Sequence, residues 1–501
     1  MNKLRNILLL GLLVCCTAVS GQTYEGVLRR NFWNDSRNIA GIRLDSLSRS
    51  YAELYGGYES GGFRSTWQAE EGWNAGAATA SIKHWDKVSM KGSFSFDQTE
   101  GYGMCGSMFI EPGYYPVDVL EFTPGRKTRQ TYAFDGGLAF DINDMWTIGA
   151  KMDFMSANYA KLKDLRYTDW KLDMTVAPAV MFRSGDFVAG ASPVFRKTSE
   201  TIDATQIGTS ESSYYAFFDK GLMYGISQVW TGSGVHLAEA GVNGLPVKEF
   251  HYGAAAQAQY KGLYMSFEYM KTQGTVGEKE YIWFRFPGSS VAADLGYKLQ
   301  RGVEDHYFRL DFDWKMQDMD ESVLEKVNEN GVVNVLNHGS NRIFSRETMS
   351  VVPEYEYVSD KVEVLASVGL AWKNGVSSQV YPYVCTRSLM NMSARVKALV
   401  HMGDFDLGAT LGYGAGKVSE SEFMTDADIT VQSTPQRLKD WYDREIEYET
   451  ASRVVAGMSI RHNFAGGIYV EASADWMHGF DLLFVGGNDR VSAGLKLGYM
   501  F

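Results

Sequence analysis

Apolar and polar residues alternate one by one along most of this chain. In the stretch 146–154, Trp146, Ile148 and Met152 alternate with Lys151 and Asp153. The same pattern recurs at 131–141, 170–182 and 308–315. Successive side chains of a β-strand point to opposite sides, so each stretch predicts a strand with one apolar and one polar face. A helix would scatter these charges around its whole surface.

Followed through the chain, the alternation predicts eighteen strands. They are 49–59, 73–84, 88–98, 129–141, 144–156, 167–182, 187–197, 249–260, 263–272, 291–299, 303–316, 345–358, 361–373, 391–401, 404–416, 449–461, 467–478 and 490–501. Fourteen or sixteen strands are the alternatives, because boundaries drawn from a sequence shift by several residues. An even number of two-faced strands predicts an all-β fold, a transmembrane antiparallel β-barrel.

The connections between these strands alternate in length. Those after even-numbered strands are short and rich in Gly, Asn and Asp, as at 143–144 and 261–262. Such residues accept the positive φ of tight hairpins. The connections after odd-numbered strands include every long loop, namely 99–128, 198–248, 317–344 and 417–448. Short periplasmic turns and long extracellular loops are typical of outer-membrane barrels.

The last strand predicts the cellular location. Its apolar face consists of Val491, Ala493, Leu495, Leu497, Tyr499 and Phe501. In a barrel the last strand pairs with the first, and such a face meets membrane lipid. A C-terminal strand that ends in Phe resembles the assembly signal of Gram-negative outer-membrane proteins, which indicates the bacterial outer membrane.

The N-terminus has the layout of a secretory signal peptide. Lys3 and Arg5 precede an apolar run at 7–14, and small residues lead to Gly21, so residues 1–21 are the predicted signal. The alternative is a lipoprotein signal at Cys15 or Cys16. Bulky or non-small residues precede both cysteines, where a lipoprotein signal requires small ones, so ordinary cleavage is favoured.

Residues 22–48 do not alternate and precede the first strand. They carry Arg29, Arg30, Arg37 and Arg43 beside Trp33. The segment is either a plug folded into the lumen or a disordered periplasmic lead-in. Arginines that face a lumen with many carboxylates favour the plug. Arg29, Arg30, Trp33 and Arg37 are therefore the candidate plug contacts.

Composition fits one barrel over residues 49–501. No run of about 18 apolar residues follows the signal, so no spanning helix is predicted. Glycine supplies 52 residues and aromatics 14%, but proline only 10, which favours strands with aromatic girdles. A net charge of −12 argues against a nucleic-acid partner. No Pro/Ser-rich linker divides the chain.

Charged residues on the polar faces are the candidate site. The predicted lumen-lining residues are Lys151, Asp153, Lys171, Asp173, Arg309, Asp311, Asp313, Lys315, Arg395 and Lys397. Both signs are interspersed, so these groups either pair across strands in a wet lumen or form a pathway that orients a polar solute.

No cofactor, metal site or catalytic residue is predicted. The carboxylates of loop 417–448 lack calcium-ligand spacing, which favours a solvated charged loop. Asp475 and His478 could form an acid–base pair resembling that of barrel proteases, but their place at a strand end favours coincidence. Cys105 and Cys385 both fall in predicted external loops and form either one bridge or two separate thiols.

The lead-in, the aromatic-rich strands and the terminal Phe501 are similar over nearly the whole chain to an uncharacterised family of Gram-negative outer-membrane barrels. More loosely, the chain resembles the long-chain fatty-acid transporter family, whose members place an N-terminal segment with an Asn-Pro-Ala element inside a fourteen-stranded barrel. The corresponding stretch here is Asn38-Ile39-Ala40, without the proline.

These patterns predict an outer-membrane channel or transporter for a small solute of unknown identity. The alternatives are a surface-binding barrel with a closed lumen and a barrel-type surface hydrolase. Besides membrane lipid, an outer-membrane or periplasmic protein partner is conceivable.

Overall fold

Eighteen antiparallel strands form a closed barrel in the computed structural model. It describes residues 24–163, 165–205, 215–223, 228–231, 244–278, 281–329, 332–380, 383–421, 428–431 and 434–501, so the predicted signal peptide lies outside the described residues. The barrel strands are β1 (Arg49–Gly61), β2 (Glu71–His84), β3 (Val88–Ser107), β4 (Asp118–Asp141), β5 (Trp146–Lys161), β6 (Arg166–Ser184), β7 (Phe187–Thr205), β8 (Leu245–Tyr260), β9 (Leu263–Glu278), β10 (Tyr281–Arg301), β11 (Glu304–Glu329), β12 (Val332–Val358), β13 (Val362–Val380), β14 (Tyr383–Met402), β15 (Phe405–Ser421), β16 (Arg453–Asn463), β17 (Ile468–Gly479) and β18 (Asp489–Met500).

The barrel closes between its first and last strands. β1 and β18 pair antiparallel from Tyr51 opposite Met500 to Gly61 opposite Arg490. Beyond the ladder, Ser50 and Phe501 exchange two backbone hydrogen bonds of 2.9 and 3.0 Å. Closure gives the strand backbones partners inside hydrocarbon, where water cannot supply them. Each of the eighteen predicted strands falls on one observed strand, so the predicted fold is confirmed.

Large apolar side chains cover the outer surface. Leu411 is 66% exposed and Met458 71%, and both lie on outward faces of neighbouring strands. Exposed aromatic residues surround the barrel near its short turns: Trp146, Phe187, Tyr260, Phe405, Phe464 and Phe501. A closed barrel with a lipid-facing surface and an aromatic girdle belongs in a bacterial outer membrane, which confirms the predicted location. None of the helices in the described part of the chain is long and apolar enough to cross a membrane.

The wall is much taller on one side than on the other. β16, β17 and β18 contain 11 or 12 residues, whereas β11 contains 26 and β12 contains 27. A tilted strand of about 9–11 residues crosses the membrane, so the outer halves of β11 and β12 extend outside it. The prediction of an irregular loop at 317–344 is therefore wrong. Outside lipid, nothing requires apolar residues to alternate along a strand.

The other long external connections also contain secondary structure. The connection after β15 includes two short paired strands, Asp428–Val431 and Thr434–Arg437, and helix α2 (Leu438–Thr450). The connection after β7 includes the strands Tyr215–Asp219 and Gln228–Thr231, the first of which pairs with β4. Sequence alternation had indicated only loops at 198–248 and 417–448.

The connection 108–117 between β3 and β4 folds into the barrel from the external side. Met108, Phe109 and Ile110 join a hydrophobic core with inward side chains of β5 to β12 and β14 and with α2. The Arg346 guanidinium on β12 holds this connection by donating to the backbone oxygens of Gly113 (2.6 Å), Tyr114 and Tyr115. Part of the external end of the lumen is thus filled by the chain itself.

Candidate functional site

Residues 24–48, here called the N-terminal segment, lie against the inner wall at the periplasmic end. The segment comprises helix α1 (Tyr24–Arg29) and two 3-10 helices, Phe32–Asp35 and Ile39–Leu44. Asn31 and Asn38 cap the two 3-10 helices, since each side-chain oxygen accepts a backbone N–H two residues later at 3.1 Å. Consecutive short turns bend the segment tightly enough to fit inside the barrel.

Apolar side chains fix the segment to the wall. Trp33, Ile39, Ala40 and Ile42 are buried against Ala139, Ala179, Met181, Val188 and Tyr264 of the barrel. The indole Nε1 of Trp33 donates to Gln259 Oε1 at 2.6 Å. Asn38 Nδ2 donates to the backbone oxygen of Val180 at 2.9 Å. The contact therefore combines a small core with specific hydrogen bonds.

Glycines in the wall make room for these side chains. A Cβ on Gly137 or Gly149 would lie 2.4 or 2.6 Å from carbon atoms of Ile39. On Gly190 it would lie 2.3 Å from Asn38 Nδ2. No real Cβ approaches atoms this closely, so side chains at these wall positions would displace the segment. Glycine inside a strand often marks such a close approach, and this signal was present in the sequence.

All the arginines of the segment meet carboxylates of the wall. Arg29 pairs with Glu354. Arg30 pairs with Glu363 at 2.7 Å and Glu356 at 3.2 Å.

Two more arginines continue this pattern around the barrel. Arg37 pairs with Glu268 at 2.8 Å and lies 3.6 Å from Asp153. Arg43 pairs with Asp141 at 2.6 Å and donates to the backbone oxygens of Trp85 and Asp86 in the first periplasmic turn. Charged contacts therefore hold the segment on several sides of the lumen.

The ten predicted lumen-lining residues all lie on inner faces of strands, but they do not form one site. Lys151 lies 3.4 Å from Asp135 and 3.7 Å from Asp153, near the N-terminal segment. Asp311 lies opposite Asp294 in the sheet, and Arg309 stacks on Phe32 at 4.9 Å. Asp313 follows on the same inner face of β11.

A second group of predicted residues surrounds the inward connection 108–117. Lys171 and Lys315 lie over the Tyr114 ring at 4.4 and 5.0 Å. Lys171 also pairs with Glu200 at 3.4 Å, and Asp173 pairs with Arg196. These charges belong to the packing of the external end.

Arg395 and Lys397 form the third group, on β14. They lie two residues apart on the inner face, and both are exposed to the lumen. Across the described residues, neither side chain has an ion-pair partner, in contrast to Lys151, Lys171 and the arginines of the segment.

The wall between β15 and β2 carries small inward residues. They are Gly408, Gly412, Gly457, Ser459, Ser473, Gly494, Gly57 and Gly76. Two cavities follow this wall. One of about 370 Å³ lies beside α1 and is lined by Lys397, Thr410 and Asp475. The other, of about 650 Å³, lies below the inward connection 108–117. Ser473 lines both cavities, so they adjoin.

The candidate acid–base pair and the candidate pair of cysteines do not form functional groups in the structure. Asp475 faces the lumen, whereas His478 lies on the outer face of β17 and contacts Asp489 Oδ1 at 2.8 Å, so the two form no acid–base pair. Cys105 and Cys385 are free thiols on β3 and β14, so their placement in external loops was wrong. Within the described ranges, no cluster of His, Cys, Asp and Glu could hold a metal ion.

Sequence reasoning missed α2 and its buried carboxylate. The Glu445 side chain is buried beneath the external surface, and its Oε1 accepts the Thr66 N–H at 2.5 Å. Burial raises the pKa of Glu445 to about 7. The neighbouring Glu447 carboxylate accepts three successive backbone N–H groups, from Leu483, Phe484 and Val485, at 2.5–2.7 Å. Both contacts bring together residues distant in sequence, which alternation does not reveal.

The model of a family of unknown function, DUF6850, matches residues 39–501. No curated protein sequence matches the chain. Similar solved structures include the ferric preacinetobactin receptor BauA from Acinetobacter baumannii, at 6% identity over 91% of this chain and 80% of that one, with a TM-score of 0.40. A mutant of the ferric enterobactin receptor PfeA from Pseudomonas aeruginosa (8%, 91% and 81%, 0.42) and the copper transporter OprC (8%, 91% and 81%, 0.43) are also similar.

Proposed function

We propose that this chain, which belongs to the family of unknown function DUF6850, lets a small polar solute cross the outer membrane through its lumen. The observation that carries the proposal is the pair of adjoining cavities of about 370 and 650 Å³ along the β15–β2 wall. Glycine and serine residues leave space there, whereas the opposite wall is covered by the N-terminal segment and by the connection 108–117. Charged and hydroxyl side chains in the lining, among them Lys397, Thr410 and Asp475, favour a hydrophilic solute over a lipid.

The N-terminal segment is the proposed plug of this pathway, in a chain exported by the proposed signal peptide at residues 1–21. Its arginines neutralise Glu354, Glu356 and Glu363 beside the smaller cavity. Ion pairs of this kind are broken and re-formed more readily than a covalent link, which suits a plug that moves. We propose no catalytic role, since Asp475 and His478 lie on opposite faces of β17.

Conductance in planar bilayers tests the pathway. Gly494 faces the lumen and lines the larger cavity, and a Cβ there would meet only Ser473 Oγ at 2.9 Å and Gly56 O at 3.9 Å. We expect Gly494→Trp to reduce conductance to less than half, because the indole would occupy the route. The matched control is Gly92→Trp on the outer face of β3, where the nearest atom is Asp135 O at 3.9 Å.

Deletion of residues 22–48 tests the plug in the same bilayers. We expect conductance and liposome swelling by small sugars to rise, because the deletion opens the periplasmic end. If neither the intact chain nor the deletion variant conducts, the pathway is refuted, and a surface-binding barrel with a closed lumen becomes the better account. If Gly494→Trp conducts like the intact chain, the proposed route is wrong.

A further inference from the structure

We propose that the pathway recognises an anionic solute, one that carries a carboxylate or phosphate group, at Arg395 and Lys397. This inference deepens the proposed function and rests on it. Both side chains are exposed on the inner face of β14, two residues apart along the strand, and Lys397 lines the smaller cavity. Side chains at i and i+2 of a strand lie about 7 Å apart, a spacing at which two cations can contact one anionic group.

The first argument is charge balance. Several other inward cations have carboxylate partners: Lys91 and Lys151 share Asp135, and Lys496 lies 3.9 Å from Glu53. Others contact aromatic rings, as Lys315 does with Tyr114 and Arg309 with Phe32. Arg395 and Lys397 have no carboxylate partner in the parts of the chain that the structure describes. Their charges therefore act on whatever occupies the lumen. A fork-shaped guanidinium beside an ammonium is well suited to carboxylate or phosphate oxygens.

The second argument is the shape of the surrounding wall. One row of paired residues crosses four strands of this wall. Lys397 on β14 lies opposite Thr410 on β15, which lies opposite Gly457 on β16, which lies opposite Asp475 on β17. Thr410 and Gly457 form a low floor, and the hydroxyls of Ser459 and Ser473 border the same cavity. A solute that contacts the two cations thus has space and hydrogen-bonding groups beside it.

Asp475 places a negative charge on the side of the cavity away from Arg395 and Lys397. Its carboxylate lies over Gly457, since a Cβ built there would be 2.1 Å from Asp475 Oδ1. Three strand spacings separate Lys397 from Asp475, about 14 Å between their backbones. The carboxylate repels a second anionic group, so it favours solutes whose negative charge is at one end.

Ion selectivity in bilayers under a KCl gradient is the direct test. The intact channel should prefer chloride over potassium. A cation within about 4 Å of a permeating anion in water attracts it by about 1 kcal/mol, which raises the local anion concentration roughly fivefold over bulk solution. Replacing both residues, Arg395→Gln with Lys397→Gln, should therefore lower the chloride-to-potassium permeability ratio at least fivefold. Asp475→Asn should raise that ratio about twofold, because it removes a more distant negative charge.

Lys271→Gln is the matched control, because Lys271 is exposed on the outer face of β9 and carries the same charge. It should leave the ratio unchanged. Retention of the heat-modifiable migration of a folded barrel shows that a variant is assembled. An intact channel that prefers potassium, or a double variant with unaltered selectivity, overturns the inference while leaving the pathway itself supported.

Equilibrium binding separates failure of the site from failure of the pathway. Isothermal titration with inorganic phosphate at low ionic strength, where charges are least screened, needs no conduction. The intact protein and Lys271→Gln should bind phosphate with the same affinity, and the double variant about 25-fold more weakly. Equal affinity in all three refutes the site even if the channel conducts. Binding without conduction refutes only the pathway.

Discussion

Trp33 should determine whether the N-terminal segment stays docked. Its side chain is 1% exposed, packs edge-on against Tyr264 with ring centroids 5.7 Å apart, and donates to Gln259. Replacing a buried tryptophan with alanine costs about 3–5 kcal/mol, because apolar burial is lost and a cavity remains. Since about 1.4 kcal/mol is a factor of ten, Trp33→Ala should raise the undocked fraction on the order of a hundredfold or more.

Trypsin reports that fraction in the purified, detergent-solubilised barrel. Arg30 and its neighbours are ion-paired when the segment is docked, and the Arg30 side chain is only 9% exposed. When the segment undocks and redocks faster than trypsin cuts, the rate of cleavage is proportional to the undocked fraction. We therefore expect the initial rate of cleavage within residues 29–43 to rise about a hundredfold in Trp33→Ala. Mass spectrometry distinguishes these peptides from cuts elsewhere in the chain.

Trp170→Ala is the matched control. Trp170 is 48% exposed on the outer face of β6 and does not reach the segment, so its loss should leave the cleavage rate unchanged. A rate in Trp33→Ala within threefold of the unaltered protein would show that the buried indole does not hold the segment. Equal acceleration in both variants would mean that general loosening of the barrel is responsible.

Two further predictions concern charges. Arg30→Gln leaves the largely buried Glu356 and Glu363 without their shared cation, at a cost of about 3–5 kcal/mol, so trypsin should cut faster at the remaining Arg29, Arg37 and Arg43. Arg126→Gln removes a guanidinium that is 46% exposed in its pair with Glu100 and should not change these rates; equal rates in the two variants would contradict the prediction. Burial raises the pKa of Glu445 to about 7, so the folded state favours the protonated, neutral carboxyl group. The stability gained from this proton is fully present below the unfolded pKa near 4.5 and is lost as the pH rises through 7. The free energy of opening of α2, measured by hydrogen exchange and corrected for intrinsic rates, should therefore fall by about 3 kcal/mol between pH 5 and pH 8. Glu445→Gln should abolish this pH dependence. An opening free energy that does not change with pH in the unaltered chain would refute the assignment.

The membrane part of the fold could be predicted because lipid imposes a strict rule on it. Wherever a strand crosses hydrocarbon, one face must be apolar, so residues such as Leu138 and Met152 reveal both the strand and its orientation. Outside the membrane this rule ends. The polar residues 317–329 and 332–344 form paired strands through backbone hydrogen bonds, and their side chains carry no two-residue period that would reveal these strands.

The candidate site was only partly predictable for a similar reason. Alternation identifies that Arg395 and Lys171 face inward, but it does not show which carboxylates lie near them. Those partners depend on the relative height of distant strands and on where residues 24–48 and 108–117 fold. Glu200 pairs with Lys171, for example, while Arg395 is left without a partner among the described residues. Only the three-dimensional arrangement distinguishes a cation used in packing from one directed at a solute.

The contact between Ser50 and Phe501 joins two residues that lie almost the whole length of the barrel sequence apart. Before β1 and β18 pair, both strands expose backbone groups without partners, and these edges could pair with another polypeptide. Loss of the last residues of β18 would leave part of the β1 edge unpaired, and such an edge can pair with a strand of another chain.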